Sequence, residues 1–457
     1  MHTQSSTTIL AIREPARQSQ KRYESTAIKE KRFAMTRQLL TTCATLTRRS
    51  VLGLLGAVPL ATSGSVALTG FAATRSDNGG ALQGQPPSAL LPGGAYDQFV
   101  RGLASQDRFS GTVLLAWHGE PVLVRSYQMA DKEQSIPNQE GTIFALASLT
   151  KFFTGLAVTQ LVAQGKVNFY ATLGSYLDGF SATIADTVTV HHLLTHTSGI
   201  PDFSMSPAWQ KLFPGFTTTT EAFDGTLSIL QPLPLAFTPG TQYSYSNSNY
   251  FLLGAIVAQA SGQPFWDYMP EHVFAPAGMT STGFFSNQQW ETDPRIAHNY
   301  GPPQPNGQRQ DLTSLAAVGP NGWDGASGAF SNAPDLLRFA RALQDGALLP
   351  AAWAEVMTSG KYPPTLAQQA PDPEPNQSML VGYGTEERII SDQRGYGHTG
   401  GLQIHVAGSS QPGGGSTSLT IYPDLNVVAV VLSNYFLYPG IGTFLAEQDR
   451  IITQNAS

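Results

Sequence analysis

Short aliphatic and β-branched runs near both ends of the chain alternate with turn residues. "GTVLLAW" (111–117) and "PVLVRSY" (121–127) flank His118-Gly119-Glu120, while "TSLTIY" (417–422) and "VVAVVLSN" (427–434) flank "PDLN". Each pair predicts a β-hairpin, and two hairpins at opposite ends predict one sheet closed by both termini. Between them the apolar spacing changes. In "TKFFTGLAVTQLVAQG", Phe152, Leu156, Leu161 and Val162 follow a helical period that ends at Gly165. In "SNAPDLLRFARALQDG", Ser331 and Asn332 supply capping, Pro334 opens the helix, and the apolar positions stop at Gly346. From about 170 to 330 the chain is rich in Pro, Gly, Ser and Thr, and no repeat of fixed period is present. The pattern predicts an α/β domain with a long, loop-rich, partly helical insertion.

The first part of the chain differs. A polar, basic stretch leads to Arg48-Arg49 and then to "SVLGLLGAVPLATSGSVALTGFAA". Twin arginines ahead of an apolar run rich in small residues predict an export signal of the twin-arginine type, cut somewhere around Ala67 to Ala73. A membrane anchor is the alternative, but Gly56, Pro59, Gly64 and Gly70 dilute the run. The expected organisation is an N-terminal extension and signal at 1–73, a Gly/Pro/Ser-rich linker at 74–94, and one domain at 95–445. The expected location is periplasmic, cell-envelope or extracellular.

Composition then excludes some classes. With 41% hydrophobic and 13% charged residues the chain can bury a large core, and a net charge of −6 without a basic stripe in the main domain argues against nucleic acid. The single cysteine, Cys43, precedes the signal's apolar run. The exported chain therefore has no disulfide, thiolate nucleophile or cysteine metal ligand.

Ser148 precedes Lys151 by three residues at the start of an apolar helix, in "ASLTKFFTGLA", the only Ser-x-x-Lys in the chain. That spacing sets the amine beside the hydroxyl on one face. Burial lowers the amine's pKa, so the neutral amine can take the serine's proton. Tyr245-Ser246-Asn247 precedes a second apolar helix. A tyrosine hydroxyl near cationic groups can shuttle a proton, and Asn247 can contact a substrate amide. His398-Thr399-Gly400-Gly401 reads as the start of a strand whose missing side chains allow a substrate backbone to approach, with N–H groups there and at Ser148 forming an oxyanion hole.

Ser-x-x-Lys, then Tyr-x-Asn, then His-Thr-Gly resembles the penicillin-recognising serine hydrolases: class C β-lactamases, D-alanyl-D-alanine carboxypeptidases and β-lactamase-like esterases. "VHHLLTHTSGIPDF", "YSNSNYFLLG" and "GASGAFSNAPDLLRF" strengthen the resemblance, which spans roughly 95 to 440. It implies an antiparallel sheet flanked by helices, a mainly helical inserted region, and the site between them. It implies further that Ser148 is the acylated nucleophile, Lys151 its base and Tyr245 the general acid/base. Asn247 would contact the substrate and His398, Thr399, Gly400 and Gly401 would line the far wall. No metal or organic cofactor is expected, and the partner is a small-molecule or peptide substrate, such as a cell-wall peptide. His398 stands where many β-lactamases carry lysine, so the cation for a substrate carboxylate exists only below the imidazole's pKa. This favours a D-alanyl peptide or a small carboxylic ester over a β-lactam.

Three other readings are weaker. His191, His192 and His196 have a helical spacing that suits zinc, but there is no His-Glu-x-x-His and no clear third ligand, so they are expected to pack behind the site. No serine lies in Gly-x-Ser-x-Gly, which disfavours an α/β-hydrolase. A non-catalytic penicillin- or peptidoglycan-binding module would not need Ser148, Lys151 and Tyr245 together.

Overall fold

A computed structural model describes residues 84–316, 324–364 and 377–455. The export signal, Cys43 and the linker up to residue 83 lie outside the described residues. Twelve strands are present among those described, and only the longer helices are numbered here. In chain order they are α1 (Ala95–Ser105), β1 (Gly111–Trp117), β2 (Glu120–Tyr127), β3 (Met129–Asp131), β4 (Ile136–Pro137), β5 (Phe144–Ala145), α2 (Thr150–Ala163), α3 (Thr219–Leu230), α4 (Asn247–Ser261), β6 (Gly283–Phe284), β7 (Ala329–Ser331), α5 (Ala333–Gln344), β8 (Gln377–Val381), β9 (Glu386–Ile390), β10 (Gln393–Ile404), β11 (Gly413–Tyr422), β12 (Val427–Ser433) and α6 (Ile441–Asn455).

Seven strands form an antiparallel sheet in the order β2-β1-β12-β11-β10-β9-β8. The two predicted hairpins are both in it. His118 (φ 50°) and Gly119 (φ 80°) make the tight turn of the first, and Pro423–Leu425 with Asn426 (φ 51°) makes that of the second. β1 and β12 pair with Leu114 opposite Val430, so the two ends of the domain close one sheet.

The unbroken apolar run of β12 follows from burial on both faces. Leu114, Ala116, Val428 and Val430 join a core with α2, α4 and α5, while Val113, Leu115, Ala429 and Val431 join a second core with Tyr96 and Val100 of α1 and Phe444, Ile451 and Ile452 of α6. Successive side chains on a strand point to opposite faces, so a sheet covered on both sides needs apolar residues at every position. The predicted limits at 95 and 445 are therefore too narrow. Leu90, expected in a linker, is fully buried in the second core, and the fold runs through α6 to Asn455.

Helix α2 is predicted from one apolar face, but it is buried nearly all round from Thr150 to Leu161. It is packed so closely that a Cβ on Gly155 would lie 2.2 Å from the Tyr383 carbonyl oxygen, and one on Gly384 (φ +79°) would lie 2.4 Å from that of Lys151. Asn332 caps α5 by accepting from Asp335 N, as its position predicts. His398–Gly401 lies in the middle of β10 rather than at a strand start, because β9 and the first residues of β10 extend the sheet beyond the predicted strands. The 170–330 region is mainly helical, as expected, and β5, β6 and β7 form a small sheet beside it.

Helix propensity alone favours Gly155→Ala by about 1 kcal/mol. The close approach to Tyr383 reverses that sign, and the variant is expected to lose about 1–3 kcal/mol in urea denaturation. A variant more stable than the parent would contradict the packing described for α2.

Candidate active site

Ser148 sits in a 3-10 turn, Ala147–Leu149, that leads directly into α2. Ala147 has φ 49°, a left-handed conformation that costs a non-glycine residue about 1 kcal/mol and is found where surrounding structure enforces it. The enforcement comes from β10 and β11. Thr417 Oγ1 donates to the Leu146 carbonyl at 2.7 Å, and a Cβ on Gly400 would lie 2.0 Å from that same oxygen. Gly400 thus serves to let β10 close on the Ser148 turn.

The helical i,i+3 spacing places Lys151 Nζ 3.0 Å from Ser148 Oγ. The amine is also 2.9 Å from Asn247 Oδ1 and 2.8 Å from the Ala326 carbonyl oxygen. Both of these oxygens can only accept. A neutral amine donates its two N–H groups to them and turns its lone pair to the Ser148 hydroxyl. Burial lowers Lys151 to about 7, against the opposing pull of Asp324, Asp202 and Glu386.

Tyr245 OH donates to Ser148 Oγ at 2.7 Å, so one line of hydrogen bonds runs from tyrosine through serine to lysine. The residue is 37% exposed, yet the protein around it desolvates the phenol and holds its pKa well above the ordinary value. Lys151 Nζ lies 5.0 Å from the Tyr245 ring centroid, close enough to stabilise a transient phenolate.

Asn247 lies on the wall of the cavity beside Ser148. Its Oδ1 accepts from Lys151 and one Nδ2 hydrogen goes to Asp202 Oδ2 at 2.9 Å, which fixes the amide and leaves its second N–H. The same Asp202 oxygen accepts from Asn247 N at 2.8 Å, which fixes the start of α4 and the direction of the amide. Asp324 holds the 326–327 turn by accepting from Ala326 N and Ser327 N, and that turn presents the Ala326 carbonyl to Lys151. His196 (φ 56°) stacks behind Tyr245 with ring centroids 4.4 Å apart, and its Nδ1 faces Ser246 N and Asn249 Nδ2. Burial lowers its pKa well below the usual imidazole value. His191 bonds Tyr383 OH and His192 completes a capping box with Thr189, so the three histidines do not converge on one point. Asp202 and Asp324 were not singled out in the sequence, although Asp202 lies inside one of the stretches that carry the family resemblance.

The cavity beside Ser148 has a volume of about 170 Å³. Asn247, Asp324, Ser327, Gly401 and Leu402 line it together with Phe203, Trp209 and Phe213. Thr399 is half-buried, and His398 is buried outside this lining, with Nδ1 2.5 Å from the Thr399 carbonyl. Burial pushes its pKa down, Glu386 opposes and Lys151 adds to the fall, so the imidazole is neutral at pH 7. A larger cavity of about 620 Å³ lies elsewhere, among Phe99, Arg309, Tyr438 and Glu447, and holds none of the predicted site residues.

Residues 96–453 match the Beta-lactamase family. The chain belongs to the beta-lactamase family of serine hydrolases. Esterase EstB of Burkholderia gladioli is 31% identical over 274 residues, which is 54% of this chain and 68% of that protein. A putative penicillin-binding protein of Bacillus subtilis, PbpX, is 31% identical over 253 residues, covering 55% of this chain and 59% of its own length. The solved structure of a penicillin-binding protein from Bacillus halodurans is 26% identical with a TM-score of 0.62, over 77% of this chain and 98% of that one. That structure matches the mixed fold of this chain, with its antiparallel sheet and flanking helices. Among the described residues no helix is long and apolar enough to cross a membrane.

A serine activated by a lysine of pKa about 7 has a characteristic pH response. Labelling of Ser148 by a fluorophosphonate should rise about tenfold per pH unit below neutrality and level off above it, as the amine loses its proton. Lys151→Arg, which keeps a permanent charge, should label at background rate. A rise only near pH 10 would contradict the lowered lysine.

Proposed function

We propose that this chain is an exported esterase that hydrolyses small esters with a neutral, apolar acyl group through an acyl-enzyme on Ser148. The observation that carries this reading is the lining of the Ser148 cavity: three aromatic side chains and Leu402, one carboxylate from Asp324, and no lysine or arginine. Trp209 stacks on Phe213 at 4.2 Å and contacts Phe203 at 5.1 Å, and its Nε1 is tied to Thr226 Oγ1 of α3. An apolar acyl chain gains by entering such a wall, whereas a carboxylate brought there loses hydration and meets no cation. With His398 neutral as well, a D-alanyl terminus or a β-lactam carboxylate lacks a partner. The similarity to an esterase over more than two thirds of that relative supports the same reading.

The reaction follows from the hydrogen-bond line. Ser148 Oγ passes its proton to neutral Lys151 and attacks the ester carbonyl carbon. The N–H groups of Ser148 and Gly401, both on the cavity wall, receive the oxyanion. Tyr245 gives its proton to the departing alkoxide, and the Lys151 ammonium stabilises the phenolate that remains. A phenol of raised pKa yields a strongly basic phenolate. It takes a proton from water, the resulting hydroxide attacks the acyl carbon, and Lys151 returns its proton to Ser148 Oγ. Ester and water become acid and alcohol, with both residues restored. The twin-arginine signal within residues 1–73 would carry the enzyme out of the cytoplasm, in line with the penicillin-binding relatives.

The test is a series of p-nitrophenyl esters from acetate to hexanoate beside a chromogenic cephalosporin. Ester turnover should be abolished by Ser148→Ala, and Trp209→Ala should lower kcat/KM for butyrate by roughly tenfold relative to acetate. Cephalosporin turnover should be slow and rise in His398→Lys. A cephalosporin rate above the ester rates would contradict the neutral-acyl reading.

A further inference from the structure

Away from the Ser148 cavity, the β3–β4 hairpin and the 298–311 segment bring together a charged cluster that the hydrolytic reaction does not use. We propose that Asp131, Glu133 and His298 form a binding site for one divalent transition-metal cation, of which zinc is the natural probe.

One ligand atom from each of these residues lies within 4.8 Å of the others. Tetrahedral coordination at ordinary zinc bond lengths needs separations of about 3.4 Å, a small contraction for a site with one exposed ligand. Glu133 is that exposed ligand, whereas Asp131 is only 3% exposed. Each ligand is already oriented. Gln134 N donates to Asp131 Oδ1 at 2.8 Å, Tyr300 OH donates to Glu133 Oε2 at 2.8 Å, and His298 Nδ1 donates to Asp311 Oδ2 at 2.6 Å. The last bond takes up Nδ1 and leaves Nε2 as the ring nitrogen that faces Asp131 Oδ2, 3.9 Å away. A carboxylate behind an imidazole is the usual outer support of a metal-binding histidine.

Two further observations bear on the charge of the cluster. Asp131 Oδ2 has no hydrogen-bond partner among the described residues, although its side chain is more than nine-tenths buried and faces His298. Lys132, the adjacent lysine, makes no direct ion pair with these carboxylates among the described residues, and its amine lies over the rings of Tyr300 and Tyr435 at 5.6 and 5.5 Å. Three carboxylates thus surround one imidazole, and the mixed nitrogen and oxygen donors suit zinc or a similar transition metal better than calcium or magnesium. A bound ion would tie the β3–β4 hairpin to the segment that carries His298. Metal was weighed in the sequence only at His191, His192 and His196, whereas this set is assembled from residues 167 apart in the chain, as the Tyr300–Glu133 bond spans.

The test uses the full chain, stripped with EDTA and then dialysed against zinc chloride. One zinc per chain should be retained and Tm should rise. Glu133→Gln, at an exposed position that leaves the fold intact, and His298→Gln should each abolish that zinc and the rise in Tm. Asp311→Asn should weaken zinc binding by about 10–100-fold. No retained zinc with an unchanged Tm, or retention unaffected by Glu133→Gln and His298→Gln, would overturn the proposal.

Discussion

The Lys151 side chain has no exposed surface, and the active site is organised by that fact. An ammonium taken out of water without a paired charge is unfavourable, so burial drives the amine toward its neutral form. What keeps it hydrogen-bonded comes from distant parts of the chain: Ser148 one turn away, Asn247 at a separation of 96 residues and Ala326 at 175. The amine therefore reads out whether α2, the start of α4 and the 324–327 turn are all in register.

The surrounding packing serves the same constraint. Gly155 and Gly384 let the 382–384 segment close over the backbone of Lys151, and a Cβ on Gly325 would lie 2.7 Å from the Tyr250 carbonyl oxygen. Asp202 and Asp324 act one shell out, holding Asn247 and the Ala326 carbonyl while their negative charges moderate the fall in the lysine's pKa. Phe203, Trp209 and Phe213 form the apolar wall on which the proposed preference for uncharged acyl groups rests.

The parts legible in the sequence are those encoded by short spacings. Ser148 and Lys151 meet because i and i+3 share a helix face, and both hairpins follow from strands joined by two to four turn residues. Tyr245 could be placed by its position before an apolar helix. That Asp202, 45 residues away, holds the Asn247 amide could not be read from any local spacing. The aromatic wall and the Asp131–His298 cluster were missed for the same reason. The linker limit at 94 failed because the apolar run Ala89-Leu90-Leu91 is short and flanked by Pro and Gly, and the limit at 445 failed because α6 continues burying Ile451 and Ile452.

The account's central claim is that hydrolysis passes through an ester on Ser148. The most direct measurement is acid-quench mass spectrometry of the Tyr245→Phe variant after mixing with p-nitrophenyl butyrate. Phenylalanine there removes the hydroxyl proposed to activate water, so a butyryl adduct should accumulate on the peptide containing Ser148. An unmodified peptide during continuing turnover, or an adduct on another residue, would contradict the account.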